Sequence, residues 1–293
     1  MKVLAILVTY NAMKWLVHCV ESLQESTVKV DIMVVDNGST DGTRDQLAKL
    51  SFIKQVVNSD ENLGFGRANN IGLQYALNNG YDYAYLINQD AWIFPDTLEK
   101  LIDVNRAHPE YGLLSPIQMQ ANMKHLDKDF IRFSISNEAI EDAVLNRQQT
   151  LYEATGGIAA AHWLLSRACI EKVGGFSPTF YHYGEDNNYQ HRLYFHGMKE
   201  GIVINAYAVH DRENRQDGQK KLAYLRSVIM LATLSDPRTP QKYPRLSIAR
   251  EWINACRQFR SLYPTRFYIK MMGSLPDIAK NKALSKGERA FLK

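Results

Sequence analysis

Four acidic positions and one histidine in this 293-residue chain stand where residues of their type could do chemistry. Asp36 closes the apolar run Ile32-Met33-Val34-Val35 and is followed by Asn37-Gly38-Ser39. Asp90 closes the run Tyr85-Leu86-Ile87 by way of Asn88-Gln89. Glu185-Asp186 follows the aromatic loop Phe180-Tyr181-His182-Tyr183-Gly184 and opens a helical pattern, and His210 ends the run Gly201–Val209. A divalent cation takes hard oxygen ligands, and an imidazole adds a borderline nitrogen that suits manganese. Asp90, His210, two phosphate oxygens and water would complete an octahedral set. Each feature also has an ordinary reading. Asn and Asp end strands as turn residues, and a single strand-end histidine is commonly structural.

The elements that must position these residues alternate in kind. Val3–Thr9 reads as a buried strand, and Trp15–Gln24 has apolar residues at helical spacing. Asp31–Asp36 is a second strand, followed by a helix to Leu50 with Asp41 or Thr43 as its cap. Ile53–Val57 and Tyr83–Ile87 read as strands, Ala68–Asn79 and Pro95–Ala107 as helices. Strand–helix alternation with short connections gives βαβ units and a parallel sheet, whose ligands bind at the carboxyl ends of the strands. Those ends carry Thr9-Tyr10-Asn11, Asp36 to Ser39, Asn58 to Gly66, and Asn88 to Asp90. Residues 113–155 read as irregular with short strands, Arg167–Val173 as a short helix, and 219–293 as helices broken by prolines. The expected division is a body at 1–215 and a helical, basic extension at 216–293.

Composition narrows the class. The chain is 45% hydrophobic, which fits one large domain with an appendage. Cys19, Cys169 and Cys256 form no CxxC pair, the pattern of a reduced, intracellular chain. The apolar run near the N-terminus is short for a secretory leader, and no stretch approaches the roughly 18 apolar residues of a membrane-spanning helix. Residues 242–293 hold 12 Lys/Arg against 3 Asp/Glu, a charge of +9 in a chain of net +4. A basic tail on a mildly acidic body points to an anionic surface or partner, or to a solvated helical face. No GxxxxGK[ST] or GxGxxG follows the first strand, which disfavours P-loop and dinucleotide readings. The acidic body and the lack of a motif in the tail disfavour nucleic acid.

The segments "ILVTYNA", "VVDNGSTDGT", "NLGFGRANNIG", "YLINQDAWIFPDTL" and "GGFSPTFYHYGEDNNYQHRLYFHG", in that order, resemble the family 2 glycosyltransferases with a GT-A fold, in the branch that includes bacterial rhamnosyltransferases. The resemblance spans about residues 1–212. It implies an α/β fold with a mostly parallel central sheet flanked by helices. Thr9, Tyr10 and Asn11 match the lining of the nucleoside pocket, Asp36 the acid that bonds the base, and Ser39 a position near the ribose. Asn62 and Gly64 fall in the segment that closes over the nucleotide. Asn88-Gln89-Asp90 stands where many members have Asp-x-Asp, so Asp90 alone supplies the carboxylate. Glu185-Asp186 matches the ED pair, and His210 a strand-end histidine that ligates metal in some members. Arg67, Asn69 and Asn88 are expected on the substrate as well, with three departures from the family pattern: Asn69 holds a position often filled by Arg, with Arg67 two residues earlier; Asn187-Asn188 follow the ED pair; and Ser177 replaces an aspartate.

The resemblance implies inverting transfer from a nucleoside-diphosphate sugar to a glycan or lipid-linked hydroxyl, with Asp186 as base, Glu185 tuning it, and Mn²⁺ or Mg²⁺ at Asp90 and His210. Arg192, further along the same helix, is expected either to reach the diphosphate or acceptor or to form a surface salt bridge. Rhamnose on deoxythymidine diphosphate is the first donor to expect, and surface polysaccharide synthesis the setting. The expected location is cytoplasmic, at the inner membrane face through the basic tail. Two other readings stay open: a sugar-nucleotide-binding protein without turnover, and a sugar-phosphate nucleotidyltransferase.

Overall fold

The computed structural model describes residues 1–154, 156–212 and 218–293. The first half alternates as the sequence suggests: β1 (Val3–Thr9), α1 (Leu16–Gln24), β2 (Val30–Asp36), α2 (Thr43–Leu47), β3 (Gln55–Asn58), α3 (Phe65–Asn78), β4 (Tyr83–Asn88), β5 (Ala91–Ile93) and α4 (Thr97–Ala107). There follow β6 (Tyr111–Met119), α5 (Lys128–Phe133), α6 (Asn137–Val144), β7 (Leu151–Glu153), β8 (His162–Ser166), α7 (Arg167–Val173), α8 (Glu185–Phe195) and β9 (Lys199–His210). Four helices complete the chain: α9 (Gln219–Ser235), α10 (Pro244–Phe259), α11 (Thr265–Gly273) and α12 (Leu275–Leu284).

One sheet runs β3-β2-β1-β4-β8-β6-β9-β5, with β7 on β9. β1, β2, β3, β4, β6 and β9 share a direction, and β5, β7 and β8 oppose it. Successive side chains of a strand face opposite sides. Leu4 and Ile6 of β1 therefore enter a core with Leu73 and Ala76 of α3, while Ala5 and Leu7 enter another with Leu16 and Val20 of α1. Burial on both faces is why β1 and β2 are nearly unbroken apolar runs.

The stretch expected to be irregular contains β6, a buried nine-residue strand between β8 and β9. Gly112 and Pro116 inside it read against a central strand. The sheet accommodates them with register shifts between Tyr111 and Leu113 and between Pro116 and Ile117. Helices α5 and α6 follow, each with a side-chain cap, from Asp127 and Ser136.

Helices α9–α12 bury a small core of their own around Leu234, Ile248, Tyr268 and Ile278. Polar bonds tie them to the body: Tyr224 Oη donates to the His182 carbonyl at 2.8 Å, and Asn281 Nδ2 to Thr179 Oγ1 at 3.0 Å. Among the described residues no helix is long and apolar enough to cross a membrane.

Candidate active site

The shared strand direction brings Thr9, Asp36, Asn58, Asn88 and His210 to one edge, with Thr9, Asp36 and Asn58 in direct register. Asp36 is fully buried there. Thr9 Oγ1 donates to one carboxylate oxygen at 3.0 Å, while Ser39 N at 3.1 Å and Arg44 Nε at 2.6 Å donate to the other. Burial alone would raise its pKa, but the bonds from Ser39, Arg44 and Thr9 outweigh that and hold it below its ordinary value. Arg44 also donates to the Ser59 carbonyl, so one guanidinium joins β2 to the loop after β3. Asp36 thus acts first as the knot of the pocket wall. Arg44 escaped the sequence reading because a charged residue on a short exposed helix carries no distinctive signal.

Three loops around that knot are cross-bonded. Asn11 adopts a left-handed φ of 54° and donates its N–H to Ser39 Oγ at 2.9 Å, and its side chain accepts from Thr40 N at 2.8 Å. Gln89 clamps the backbone of exposed Tyr10 in both directions, Tyr10 N to Oε1 at 2.7 Å and Nε2 to Tyr10 O at 3.1 Å. Asn62 Oδ1 accepts from Asn37 Nδ2 and from Gly64 N, both at 2.9 Å. Gly64 has φ 82° and ψ 161°, a region open essentially to glycine, and a Cβ there would lie 2.4 Å from the Tyr181 carbonyl. The 62–64 segment is thereby pressed against the aromatic loop that precedes Glu185.

Asp90 and His210 meet because β5 pairs antiparallel with the end of β9, setting Ala91 opposite His210. His210 Nε2 lies 3.5 Å from Asp90 Oδ1, both side chains being largely covered. Asp211 N fixes the turn by donating to the Asp90 carbonyl at 2.8 Å. Among the described residues no group of three or more His, Cys, Asp or Glu gathers as a metal cage. A hard oxygen and an imidazole nitrogen facing each other do fit a cation that takes its remaining ligands from a diphosphate and water, the usual habit of Mg²⁺. His210 Nδ1 is buried without a partner.

Beside the pair lies His162, fully buried at the start of β8 in the run His162–Ser166. Its Nε2 bonds the Val209 carbonyl at 2.9 Å and its Nδ1 meets Tyr85 Oη at 2.8 Å. A carbonyl only accepts, so Nε2 carries the hydrogen and Nδ1 accepts from the tyrosine. Burial pushes its pKa down to about 3, which keeps it neutral beside the Asp90–His210 pair.

Glu185 and Asp186 start α8, directly after Tyr183 and Gly184 with φ of 66° and 83°. Both conformations are left-handed, and they turn the chain sharply into the helix. Glu185 is buried, its Oε2 lacks a partner, and burial followed by the charge of Asp186 pushes its pKa up to about 7. Asp186 is half-buried and accepts from Asn187 N at 2.8 Å. Burial raises its pKa too, against the pull of its bond from Asn187 and of the positive charge of Arg212, two residues beyond His210.

Two expected ligand contacts are corrected. Arg192 is fully buried, donating to the carbonyls of Val173 (2.9 Å) and Gly175, with its guanidinium over the rings of Tyr189 and Phe291. It ties α8 to the end of α7 and reaches neither a ligand nor the surface. Asn69 is buried as well and donates back to the Phe65 carbonyl of its own helix at 3.0 Å. Arg67 is exposed on the first turn of α3, and Asn88 is half-buried at the end of β4.

The model of glycosyl transferase family 2 matches residues 4–174. An uncharacterized glycosyltransferase of Nostoc sp. (strain PCC 7120) is 26% identical over 187 residues, 61% of this chain and 55% of that protein, so the chain spans about half of that relative's length. An N-acetylglucosaminyl-diphospho-decaprenol L-rhamnosyltransferase of Mycobacterium tuberculosis is 25% identical over 229 residues, 70% of this chain and 74% of that one. Among solved structures, S. aureus TarS 1-349 superposes with a TM-score of 0.58 at 16% identity, covering 98% of this chain and 83% of that chain. That likeness shows the GT-A type of α/β fold. The family match covers β1 to α7, and the chain belongs to glycosyl transferase family 2.

Proposed function

We propose that the chain is an inverting, cation-dependent glycosyltransferase that moves a sugar from a nucleoside-diphosphate sugar to a hydroxyl of a glycan or lipid-linked acceptor in bacterial surface polysaccharide synthesis. One observation carries this reading. The exit of β9 sets His210 3.5 Å from Asp90, an imidazole facing a carboxylate on the same edge of the sheet as Thr9, Asp36 and Asn88. A pair that fits a cation thus shares one edge of the sheet with the strand ends assigned to the nucleoside. The relatives add support, since one is a rhamnosyltransferase and TarS has been solved with UDP and with UDP-GlcNAc.

Thr9, Tyr10, Asn11, Asp36 and Ser39 form the nucleoside side of the pocket, and Asn62 and Gly64 close it. Burial and the charge of Asp186 push the Glu185 pKa up to about 7, and two adjacent acids disfavour a second negative charge on the pair. Asp186 takes the proton of the acceptor hydroxyl as that oxygen bonds the anomeric carbon and the carbon–oxygen bond to the diphosphate breaks. A divalent cation held by Asp90 and His210 would neutralise charge on the departing diphosphate.

The test has two parts. Thermal shift against a panel of nucleoside-diphosphate sugars, deoxythymidine-diphosphate rhamnose first, should give a manganese-dependent stabilisation for one donor, lost in Asp90→Ala. With that donor, Asp186→Asn should bind normally and lose ~10²–10⁴-fold in kcat. A loss below tenfold would reject Asp186 as base, and no shift with any donor would reject the donor class.

A further inference from the structure

Helices α10, α11 and α12, with the chain after α9, leave an open cleft of about 1060 Å³. Its walls are apolar: Leu234, Leu246, Met272, Leu275 and Ile278. Four cations line it as well, Lys242, Arg245, Lys282 and Lys286, and no Asp or Glu is among its described lining residues. The Lys282 ammonium is fixed in place, donating to the carbonyls of Leu234 at 3.2 Å and Thr239 at 2.6 Å. At the mouth, Tyr243 and Leu246 stand 65% and 68% exposed.

Neither half of this chemistry explains the other. A soluble anion has no use for apolar walls, and an apolar peptide has no use for four cations without an acid. An amphiphile carrying a phosphate uses both. The charge of the wider region complements such a partner, +9 for residues 242–293 in a chain whose total is +4. We propose that this cleft takes the phosphate and adjoining acyl chain of an anionic phospholipid, and so seats α10–α12 on a bilayer surface. This rests on the membrane-face location expected from the basic tail and gives it a defined site.

The experiment is co-sedimentation of the full chain with vesicles of phosphatidylcholine alone or mixed with phosphatidylglycerol. Wild type should bind only the anionic vesicles. The triple variant Lys242→Glu, Arg245→Glu, Lys286→Glu should partition on the order of 100-fold more weakly, each cation near an anionic surface adding comparably. A charge-matched control, Arg250→Glu, Arg257→Glu, Lys270→Glu, changes exposed residues of the same helices outside the cleft and should lose less than tenfold. Leu246→Asn, which leaves charge alone, should also weaken binding. Absence of wild-type binding overturns the proposal, as does an equal loss in cleft and control variants. Displacement by inorganic phosphate with Leu246→Asn silent would make this a free-phosphate site and overturn it too. Thermal shift with donor, run on the same preparations, fails or succeeds independently of these outcomes.

Discussion

Glu200 offers a quantitative check on the interior. It lies in β9 with 1% of its surface exposed, Tyr194 Oη donates to Oε1 at 2.7 Å, and Oε2 has no partner. Burial, less the help of Tyr194 and with a small push from Asp186, raises its pKa from 4.5 to about 7. A carboxyl with a raised folded pKa holds its proton longer folded than unfolded. Its contribution is therefore most favourable below pH 4.5 and is lost as pH climbs from there to about 7. At 1.36 kcal/mol per unit, the loss across that window is about 3 kcal/mol as an upper value. Glu200→Gln has no charge to bury, so its urea-derived stability should fall less with pH. The difference between variant and wild type should grow by about 2.5 kcal/mol at most between pH 5 and pH 8. Any constant cost of an unpartnered amide cancels in that comparison. Parallel stability–pH curves for the two proteins would refute the assignment of a buried, charge-averse carboxyl at this position.

Two further substitutions separate structural from ligand-facing roles. Arg192→Met leaves the Val173 and Gly175 carbonyls unpaired at ~1–3 kcal/mol each, so stability should drop by at least about 2 kcal/mol while donor affinity of the folded fraction holds; a fall in affinity at unchanged stability would restore it to the binding site. Gly64→Ala forces a side chain into a glycine-only conformation and against Tyr181, at a local cost of ~1–3 kcal/mol. Calorimetry should then show donor binding weakened at least about tenfold with the far-ultraviolet spectrum unchanged, and affinity within twofold of wild type would sink the closing-segment role.

The sequence alone determined the strand ends. Runs such as Ile32–Val35 and Tyr85–Ile87 must be buried on both faces, and where each stops the next polar residue is delivered to the carboxyl edge, so Asp36, Asp90 and His210 were legible by position. The short helix Arg167–Val173 has in the structure the limits its pattern gave. β6 was not legible, because Gly112 and Pro116 contradict a central strand and only the register shifts against β9 admit them. Pairings across distance were equally hidden. Gln89 acts through the backbone of Tyr10, 79 residues away, and Arg192 looks like a surface cation until the carbonyls of Val173 and Gly175 are placed around it. His162 sat inside an apolar run, its role depending on Tyr85 and on the carbonyl of Val209. The basic character of the tail was plain, but its cleft exists only because α10, α11 and α12 fold together and place Lys242 and Arg245 on the same opening as Lys282 and Lys286. Periodicity and burial act along the chain and can be read there; hydrogen-bond partners and shared cavities are properties of distance in space, which the packed fold alone assigns.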